Sequence, residues 1–274
     1  MRSIGLHLRL ISTFSNLVAR SCELGMSAMQ CFLVDKAGQP ISLDAQQINE
    51  CATKLRNFSH SFMHASYWTN LSGVSQTGRH ILMKEMDLAK RLGFTHVVVH
   101  PGSAKGVRKR SEGVDLLVKS LNKILKEEQE ITIVLENVAH GRMTVGGDLQ
   151  DFKTVLQKID KPEAIKFCID TAHAHSYGYD MSKNETQDKF IKLLDDTIGL
   201  SNIALIHLND THEKVGSLID RHAAPGEGTI GIDALKRFAQ HCLLKHIPMI
   251  LELPVLHEEH ELVIYNQVRA WHDE

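Results

Sequence analysis

The stretch best suited to chemistry is a short apolar run that ends in a carboxylate. Residues 165–169 are apolar except for Lys166, Asp170 follows them directly, and His173 comes within one turn of chain. The apolar run is typical of a buried strand, whereas a buried carboxylate and imidazole are costly unless they are hydrogen-bonded or bound to a metal. The stretch therefore predicts a functional site at the carboxyl end of a strand.

The same pairing of an apolar run with a histidine or carboxylate at its end recurs along the chain. Each side chain alone has an ordinary alternative, such as a turn position for His100 or an ion pair between Glu136 and a barrel lysine. Five imidazoles and four carboxylates that converge at one end of a barrel need cations among them, so the set predicts a metal centre. Its nine candidate ligands are His64, His100, Glu136, Asp170, His173, His207, Asp220, His222 and Glu252.

The elements that must position these residues alternate regularly. Strands are predicted at 3–8, 28–34, 61–67, 95–101, 131–138, 165–170, 203–209 and 247–254. Helices are predicted at 14–24, 43–58, 80–92, 113–126, 149–159, 185–198, 232–241 and 259–271. Eight strand–helix units predict an α/β fold of the (β/α)₈ TIM-barrel type, whose active sites lie at the carboxyl ends of the strands. A doubly wound parallel sheet is the alternative. No linker or change in composition divides the chain, so we expect one TIM-barrel domain over residues 1–274.

The type of ligand indicates the metal. Imidazole-rich sets with mixed nitrogen and oxygen donors and no thiolate are typical of Zn²⁺, with Mn²⁺ or Fe²⁺ as alternatives, whereas Mg²⁺ prefers oxygen ligands. Nine ligands exceed the three or four of a single zinc site, so we expect two or three ions that share a bridging carboxylate. Three divalent ions against four carboxylates leave a surplus of about two positive charges, which favours binding of a phosphodiester.

Composition limits the partners of the chain. The 274 residues carry a net charge of −2 with the 17 histidines counted as neutral, and 43% of them are hydrophobic. These values are ordinary for a globular protein and imply no general attraction to nucleic acid or to an anionic membrane. Any binding of a polyanion must therefore come from a local basic patch or from bound metal.

Cysteine usage and the amino terminus indicate the compartment. The five cysteines are odd in number and widely spaced, and no CxxC motif occurs, so neither a disulfide framework nor a thiolate zinc site is supported. The first residues lack the apolar stretch of a signal peptide, and no apolar run approaches 18 residues. We expect a cytoplasmic protein of bacterial type with no membrane partner.

Several motifs in order along the chain resemble those of the endonuclease IV family of apurinic/apyrimidinic endonucleases. They are HASY, HPGS, LENVA, IDTAHAHSYGYD, HLNDT, DRHAAPGEGTIG and LELP, and they run from the third predicted strand to the eighth. The resemblance implies a xylose-isomerase-like TIM barrel with three zinc ions. It also implies cleavage of double-stranded DNA on the 5′ side of an abasic site, which leaves a 3′-hydroxyl, together with removal of blocked 3′ ends.

Carried over by matching position, the resemblance divides the nine candidates into three sets. Glu136 would bridge the first two ions, and Mn²⁺ is the alternative ion at one site. The first ion would be held by His64, His100 and Glu136, the second by Glu136, Asp170, His207 and Glu252, and the third by His173, Asp220 and His222.

Three residues, one of them also a candidate ligand, are candidates for further roles close to the metals. Glu136 is the candidate catalytic residue, because a carboxylate between two ions is suited to orienting the attacking water. His7 and Asp210 are candidates for orienting metal-bound groups, because metal-bound histidine and water need hydrogen-bond partners. Simple polar capping of the barrel mouth is the alternative for both.

Two segments are candidates for DNA contact. Tyr67 and Trp68 follow the third strand, where the family presents the side chains that enter the DNA, although Trp68 could instead pack against a neighbouring helix. A basic loop after the fourth strand would contact phosphates, with a merely solvated loop as the alternative. Its candidates are Lys105, Arg108, Lys109 and Arg110.

The chain departs from the family pattern at two positions. The loop after the second strand lacks the family's arginine and supplies only Lys36, and Ala104 stands where the family often has histidine. Both positions concern DNA binding rather than the metal ligands, so DNA affinity and lesion preference are the properties we expect to differ.

Two other functional classes are compatible with parts of the pattern. A sugar or sugar-acid isomerase or epimerase on the same barrel would use one or two divalent ions, so Asp220, His222 and His173 exceed its needs. A non-catalytic binder of damaged DNA would not need all nine ligands, which are present. The leading prediction is a monomeric abasic-site endonuclease of base-excision repair.

Overall fold

The computed structural model describes residues 2–35, 38–128 and 130–272, so Lys36 lies outside the described residues. Within them the chain forms ten strands, eight of which make a closed parallel barrel in the order β1-β10-β7-β6-β5-β4-β3-β2. The strands are β1 (Ile4–Leu8), β2 (Ala28–Phe32), β3 (His60–His64), β4 (His96–Val99), β5 (Thr132–Glu136), β6 (Ile165–Asp170), β7 (Ile203–His207), β8 (Asp210–Thr211), β9 (His222–Ala223) and β10 (Met249–Leu251).

The helices are α1 (Phe14–Glu23), α2 (Ala45–Leu55), α3 (Thr77–Leu92), α4 (Arg110–Glu127), α5 (Leu149–Lys158), α6 (Thr171–Tyr177), α7 (Asn184–Ile198), α8 (Ile232–Ala239) and α9 (Glu258–Ala270). The helices other than α6 surround this barrel. None of the described helices is long and apolar enough to cross a membrane.

The barrel confirms the predicted fold and excludes the doubly wound sheet, because β1 pairs with β10 and closes the sheet. Strand β6 has the predicted bounds, whereas most other barrel strands are shorter than predicted. The eighth barrel strand, predicted over 247–254, spans only Met249–Leu251. It is flanked by Pro248 and Pro254, which have no N–H to donate to a neighbouring strand. That residues 1–274 form one domain stays a prediction.

Two elements at the mouth of the barrel were not predicted. Helix α6 begins immediately after β6, and the Asp170 side chain caps it by accepting a hydrogen bond from the His173 backbone N–H at 2.7 Å. Strands β8 and β9 form a small antiparallel hairpin in which Thr211 pairs with His222. Both elements carry candidate ligands, so they extend the site beyond the strand ends.

The interior of the barrel is built in two layers. Successive side chains of a strand point to opposite faces, so residues two apart share the inner face. The lower layer is a buried cluster of Ala28, Phe62, Val98, Val134, Cys168, Leu205 and Ile250. Two residues further along the same strands stand Gln30, His64, His100, Glu136, Asp170, His207 and Glu252. The polar layer therefore rests on an apolar layer that keeps water from reaching it through the barrel.

Gly5 of β1 lies in the narrow part of the lower layer. A Cβ atom there would lie 1.8 Å from the Ala28 carbonyl oxygen and 3.1 Å from Ile250 Cδ1. Because the closer contact is with backbone, it cannot be relieved by a change of rotamer. We expect Gly5→Ala to lower the free energy of unfolding by about 1–3 kcal/mol, measured by chemical denaturation.

A second variant identifies the cause. Ile250→Val removes only the more distant contact. The loss in the free energy of unfolding of the double variant should therefore equal the sum of the losses of the two single variants. A denaturation midpoint for Gly5→Ala equal to that of the unmodified protein would contradict this close approach of β1 and β2.

Candidate metal centre

Glu136 lies at the centre of the site, at the end of β5, and its side chain is fully buried. Four imidazoles of the described chain surround its carboxylate. Oε2 lies 3.1 Å from Nε2 of His64 and 3.1 Å from Nε2 of His100. Oε1 lies 3.0 Å from Nδ1 of His207 and 3.2 Å from Nδ1 of His173. The carboxylate thus contacts imidazoles and not the lysine considered as an alternative from the sequence.

The outer nitrogen of two of these rings is held by an acceptor. His64 Nδ1 lies 2.8 Å from the Ala65 carbonyl oxygen, and His207 Nε2 lies 3.0 Å from Gln30 Oε1. A neutral imidazole has one N–H, and it must be on the nitrogen that faces these acceptors. The inner nitrogens are then bare and face carboxylate oxygens. Two acceptors at such distances repel each other unless a proton or a metal cation lies between them.

His173 and His222 form a second arrangement of this kind. Their Nδ1 atoms face the carbonyl oxygens of Asn137, at 2.8 Å, and Glu252, at 3.3 Å. Their Nε2 atoms therefore face each other as acceptors, 3.4 Å apart. The Asp220 carboxylate lies 3.2 Å from Nε2 of His173 and 3.5 Å from Nε2 of His222. Two imidazoles and a carboxylate directed at one point are a donor set that fits a divalent cation.

Another group of donors lies between β6, β7 and β10. Nδ1 of His207 lies 3.3 Å from Glu252 Oε2 and 3.8 Å from Asp170 Oδ2. With Glu136, these residues offer ligand atoms that all lie within 4.8 Å of one another. The Asn209 amide donates to Asp170 Oδ2 at 2.6 Å and accepts from the Glu252 backbone N–H at 2.8 Å. Asn209 thereby fixes both carboxylates of the group.

The charges of the site are strongly coupled. Burial alone would raise the pKa of Glu136, but His207 and His100 outweigh it and hold that pKa well below its ordinary value. Burial alone would lower the pKa of His173, but Asp170 and Asp220 hold it well above its ordinary value. His207 has a raised pKa for the same reason, opposite Glu252 and Glu136. Without metal, the site therefore holds protons between carboxylates and imidazoles.

Cys168 lies directly beneath this layer. Its Sγ is within 4.8 Å of ligand atoms of Glu136 and His207. Burial raises the pKa of the Cys168 thiol to about 12, and a protonated thiol is a poor metal ligand. Cys168 thus fills the apolar layer, in keeping with a site that uses no thiolate.

The two residues predicted to orient metal-bound groups occupy different positions. His7 Nδ1 lies 2.8 Å from Glu252 Oε1, and burial lowers the pKa of His7. Asp210 is buried in β8, and its carboxylate organises the loop between β9 and α8. It accepts hydrogen bonds from the backbone N–H groups of Thr211, Gly226, Gly228, Ile230 and Gly231.

A cavity of about 420 Å³ opens above the donors at the barrel mouth. Arg9, Phe32, Tyr67 and Arg221 line it together with six of the nine candidate ligands and His7. The Tyr67 ring lies 5.4 Å from Phe32 and 6.1 Å from His100 between ring centroids, so it forms a wall of the cavity.

Most residues predicted to contact DNA have exposed side chains, and one of them is held in ion pairs within the chain. Tyr67 and Trp68 are 76% and 69% exposed. Trp68 is therefore not buried against a neighbouring helix. Its indole instead lies against Gly38, where a Cβ would come within 2.4 Å of Nε1.

The basic loop is divided in the same way. Lys105, Arg108 and Lys109 are exposed, and Lys105 lines a smaller cavity beside Tyr67. Arg110 is half-buried, because its guanidinium pairs with Asp151 at 2.8 Å and Asp148 at 3.3 Å.

Three polar residues of the site were not found from the sequence. Arg9 lines the cavity, and Asn209 and Gln30 hold candidate ligands. Gln30 had a signal in the sequence, because it is a polar residue at an inward position of an apolar strand. Asn209 belongs to the HLND motif beside His207. Arg9 follows the first strand, as the candidate ligands follow theirs.

Comparison with known proteins identifies the class. A model of the family described as xylose isomerase-like TIM barrel matches residues 18–272, and the chain belongs to this family. A D-psicose 3-epimerase from Clostridium cellulolyticum has the same fold, with a TM-score of 0.70 over 100% of this chain and 98% of that one, at 14% identity. At that identity the likeness concerns the fold alone.

Two relatives place the chain more narrowly. A protein from Thermosipho melanesiensis named "Probable endonuclease 4" is 34% identical over an alignment of 273 positions that covers 95% of this chain and 95% of that one. Endonuclease IV from Thermus thermophilus is 26% identical, with a TM-score of 0.86 over 100% of this chain and 99% of that one. The chain is therefore a member of the endonuclease IV family, a metal-dependent nuclease that hydrolyses phosphodiester bonds.

Zinc loading should release protons from this site. The raised pKa values of His173 and His207 mean that these imidazoles keep protons at neutral pH in metal-free protein. Metal displaces them, so we expect release of about two protons per chain near pH 7 and an apparent zinc affinity that rises with pH. The measurement is titration of chelator-stripped protein with Zn²⁺ in weak buffer containing a pH indicator.

The matched control is His246→Gln, because His246 is exposed and lies at the opposite end of the barrel. This variant should release the same number of protons. Zinc binding with no proton release, or with an affinity independent of pH, would contradict the protonation of the site.

Proposed function

We propose that this protein is an abasic-site endonuclease of DNA repair that uses three zinc ions. It would hydrolyse the phosphodiester on the 5′ side of an abasic site in double-stranded DNA, leave a 3′-hydroxyl, remove blocked 3′ ends and act as a monomer. The observation that carries the proposal is the set of imidazole nitrogens that lie close to carboxylate oxygens, and to each other, around one cavity. Protons separate these acceptors in metal-free protein, and metal cations would take their place.

The donors divide into three groups that each fit one ion. Glu136 belongs to two groups because its two oxygens face different histidines. Mn²⁺ is the alternative ion at one site. The first ion would be held by His64, His100 and Glu136, the second by Glu136, Asp170, His207 and Glu252, and the third by His173, Asp220 and His222.

When bound, such ions activate water as a nucleophile near neutral pH and neutralise charge on the phosphate and the leaving oxygen. Glu136 stays ionised, because His207 and His100 hold its pKa low against the effect of burial. It is thus a permanent acceptor that can orient the attacking water. The apolar layer beneath it keeps other water out of the barrel.

The mouth offers contacts for the DNA around the reacting phosphate. Three divalent ions against four carboxylates leave a surplus of about two positive charges for one phosphodiester. Exposed aromatic rings stack on bases that have lost a neighbour, which is the role proposed for Tyr67 and Trp68. Lys105, Arg108 and Lys109 are free to contact phosphates. Arg110 is the weaker candidate, because two carboxylates already hold it.

The test is cleavage of a defined lesion. Purified zinc-loaded protein should nick a duplex with a single tetrahydrofuran abasic analogue on the 5′ side of the lesion, and the nicked strand should prime a DNA polymerase. Glu136→Gln should lower the rate of nicking by at least about 10²-fold, because one carboxylate serves two ions and the water. The readouts are gel analysis of end-labelled DNA and metal content by mass spectrometry.

Controls separate this function from its competitors. Glu136→Gln should keep most DNA binding, and Cys31→Ala, at a buried position away from the donors, should keep nicking. Zinc-loaded protein that leaves the lesion intact rejects the proposal. One or two ions per chain with turnover of a sugar would identify an isomerase or epimerase instead.

Arg9 provides a prediction about substrate binding. One guanidinium nitrogen lies 2.5 Å from Glu261 Oε1, and the side chain lines the cavity above the donors. Its other N–H groups are free for a phosphate. We expect Arg9→Gln to raise KM about tenfold with kcat nearly unchanged, and to reduce the slope of log affinity against log salt by about one.

Arg20 is the matched control. It pairs with the other oxygen of Glu261 at 3.3 Å, yet it is not among the residues that line the cavity. Arg20→Gln should likewise remove one ion pair of Glu261, but it should not change the salt dependence of DNA binding. Equal effects of the two variants would mean that Arg9 acts only through Glu261.

A further inference from the structure

Gln30 occupies an unusual position for an amide. It lies on β2 within the polar inner layer and is fully buried. Its side chain contacts Glu252 and His207, two residues of the donor group proposed to hold the second ion. Nε2 donates to Glu252 Oε1 at 2.7 Å, and Oε1 lies 3.0 Å from His207 Nε2. Nε2 is also 2.8 Å from His7 Nδ1.

The orientation of this amide follows from its neighbours. A carboxylate oxygen accepts hydrogen bonds, and Glu252 Oε1 lies 2.7 Å from the nitrogen end of this amide. The Gln30 NH₂ group must therefore face Glu252, which turns Oε1 towards His207. Because Oε1 can only accept, His207 must carry its proton on Nε2.

Two consequences follow for the metal ligands. The Nδ1 lone pair of His207 is directed at Glu136, Glu252 and Asp170. Glu252 Oε1 accepts a hydrogen bond from Gln30 and lies 2.8 Å from His7 Nδ1. Only Oε2, 3.3 Å from His207 Nδ1, is left to face the donors.

We propose that Gln30 is a positioning residue for the second metal site: its amide selects the tautomer of His207 that binds through Nδ1 and turns Glu252 Oε2 towards the same ion. The inference rests on the proposed function for the identity of the site, but it concerns metal binding and can be judged without DNA. Groups that orient metal ligands contribute about 10–100-fold to metal affinity when they are replaced.

The donor and the acceptor of the amide can be separated by substitution. Gln30→Met keeps the approximate size and removes both hydrogen bonds. Gln30→Glu keeps an oxygen towards His207 but loses the donor and sets a second carboxylate against Glu252. The Met variant should lose the selection of the tautomer, whereas the Glu variant should keep it and lose the fixed Glu252.

The experiment measures zinc affinity and the His207 ring in the zinc-loaded protein. Competition with a chromogenic chelator should give an affinity for one ion per chain that is about 10–100-fold weaker in Gln30→Met. Proton–nitrogen NMR of histidine-labelled protein should give a slowly exchanging Nε2–H signal of His207 in the unmodified protein and in Gln30→Glu. That signal should be lost in Gln30→Met.

Phe62→Leu is the matched control, because Phe62 is buried in the lower layer and pairs in register with Gln30. It should lower stability while keeping both the zinc affinity and the Nε2–H signal. Gln30→Met with unchanged zinc affinity and an unchanged signal would overturn the proposal, as would an equal loss of affinity in Phe62→Leu. Protein that binds zinc in this way yet never nicks abasic DNA would reject the proposed function and leave Gln30 as a positioning residue.

Discussion

A fully buried carboxylate contacted by four imidazoles is the constraint on which this structure depends. Glu136 cannot be ionised in the barrel interior without compensation, and His64, His100, His173 and His207 supply it within 3.2 Å. Removal of one partner from such a set leaves an uncompensated buried charge, which costs several kcal/mol. The strands around the barrel therefore have to end at one level, so that their polar residues meet at the same height.

The barrel fulfils this requirement because every second side chain of a strand points inward. Every inward residue of the lower layer is followed, two positions along its strand, by a polar residue of the upper layer. The rings are then oriented from outside the donor groups, by the carbonyls of Ala65 and Asn137 and by the Gln30 amide. Because these contacts are made by the chain itself, they preorganise the donors for metal binding.

The barrel was predictable from the sequence because it follows from periodicity. Six of the nine candidate ligands stand at ends of barrel strands, and that all nine bind metal stays a prediction. Helix α6 and the β8–β9 hairpin were missed because each is held by tertiary contacts, such as the Asp170 cap on the His173 N–H. Residues that act across strands were missed for a related reason. Gln30 meets His207 from 177 positions away in sequence, and no local pattern contains such a contact. Arg110, a candidate for DNA contact, also pairs with Asp148 and Asp151, and such an ion pair between the starts of α4 and α5 is equally invisible in the sequence.

The elements that were not predicted from the sequence also carry three of the candidate ligands. The fold is shared with a sugar epimerase at 14% identity, so the barrel alone does not determine the chemistry. The first two donor groups come from strand ends, as any barrel of this kind could provide. His173, Asp220 and His222 come from α6, the loop before β9 and β9 itself. Their donors add room for one more cation beside the first two groups, and additional positive charge is what a dianionic phosphorane-like transition state requires and a neutral sugar does not. In the proposed function, the short helix and the hairpin carry the donors of the third ion.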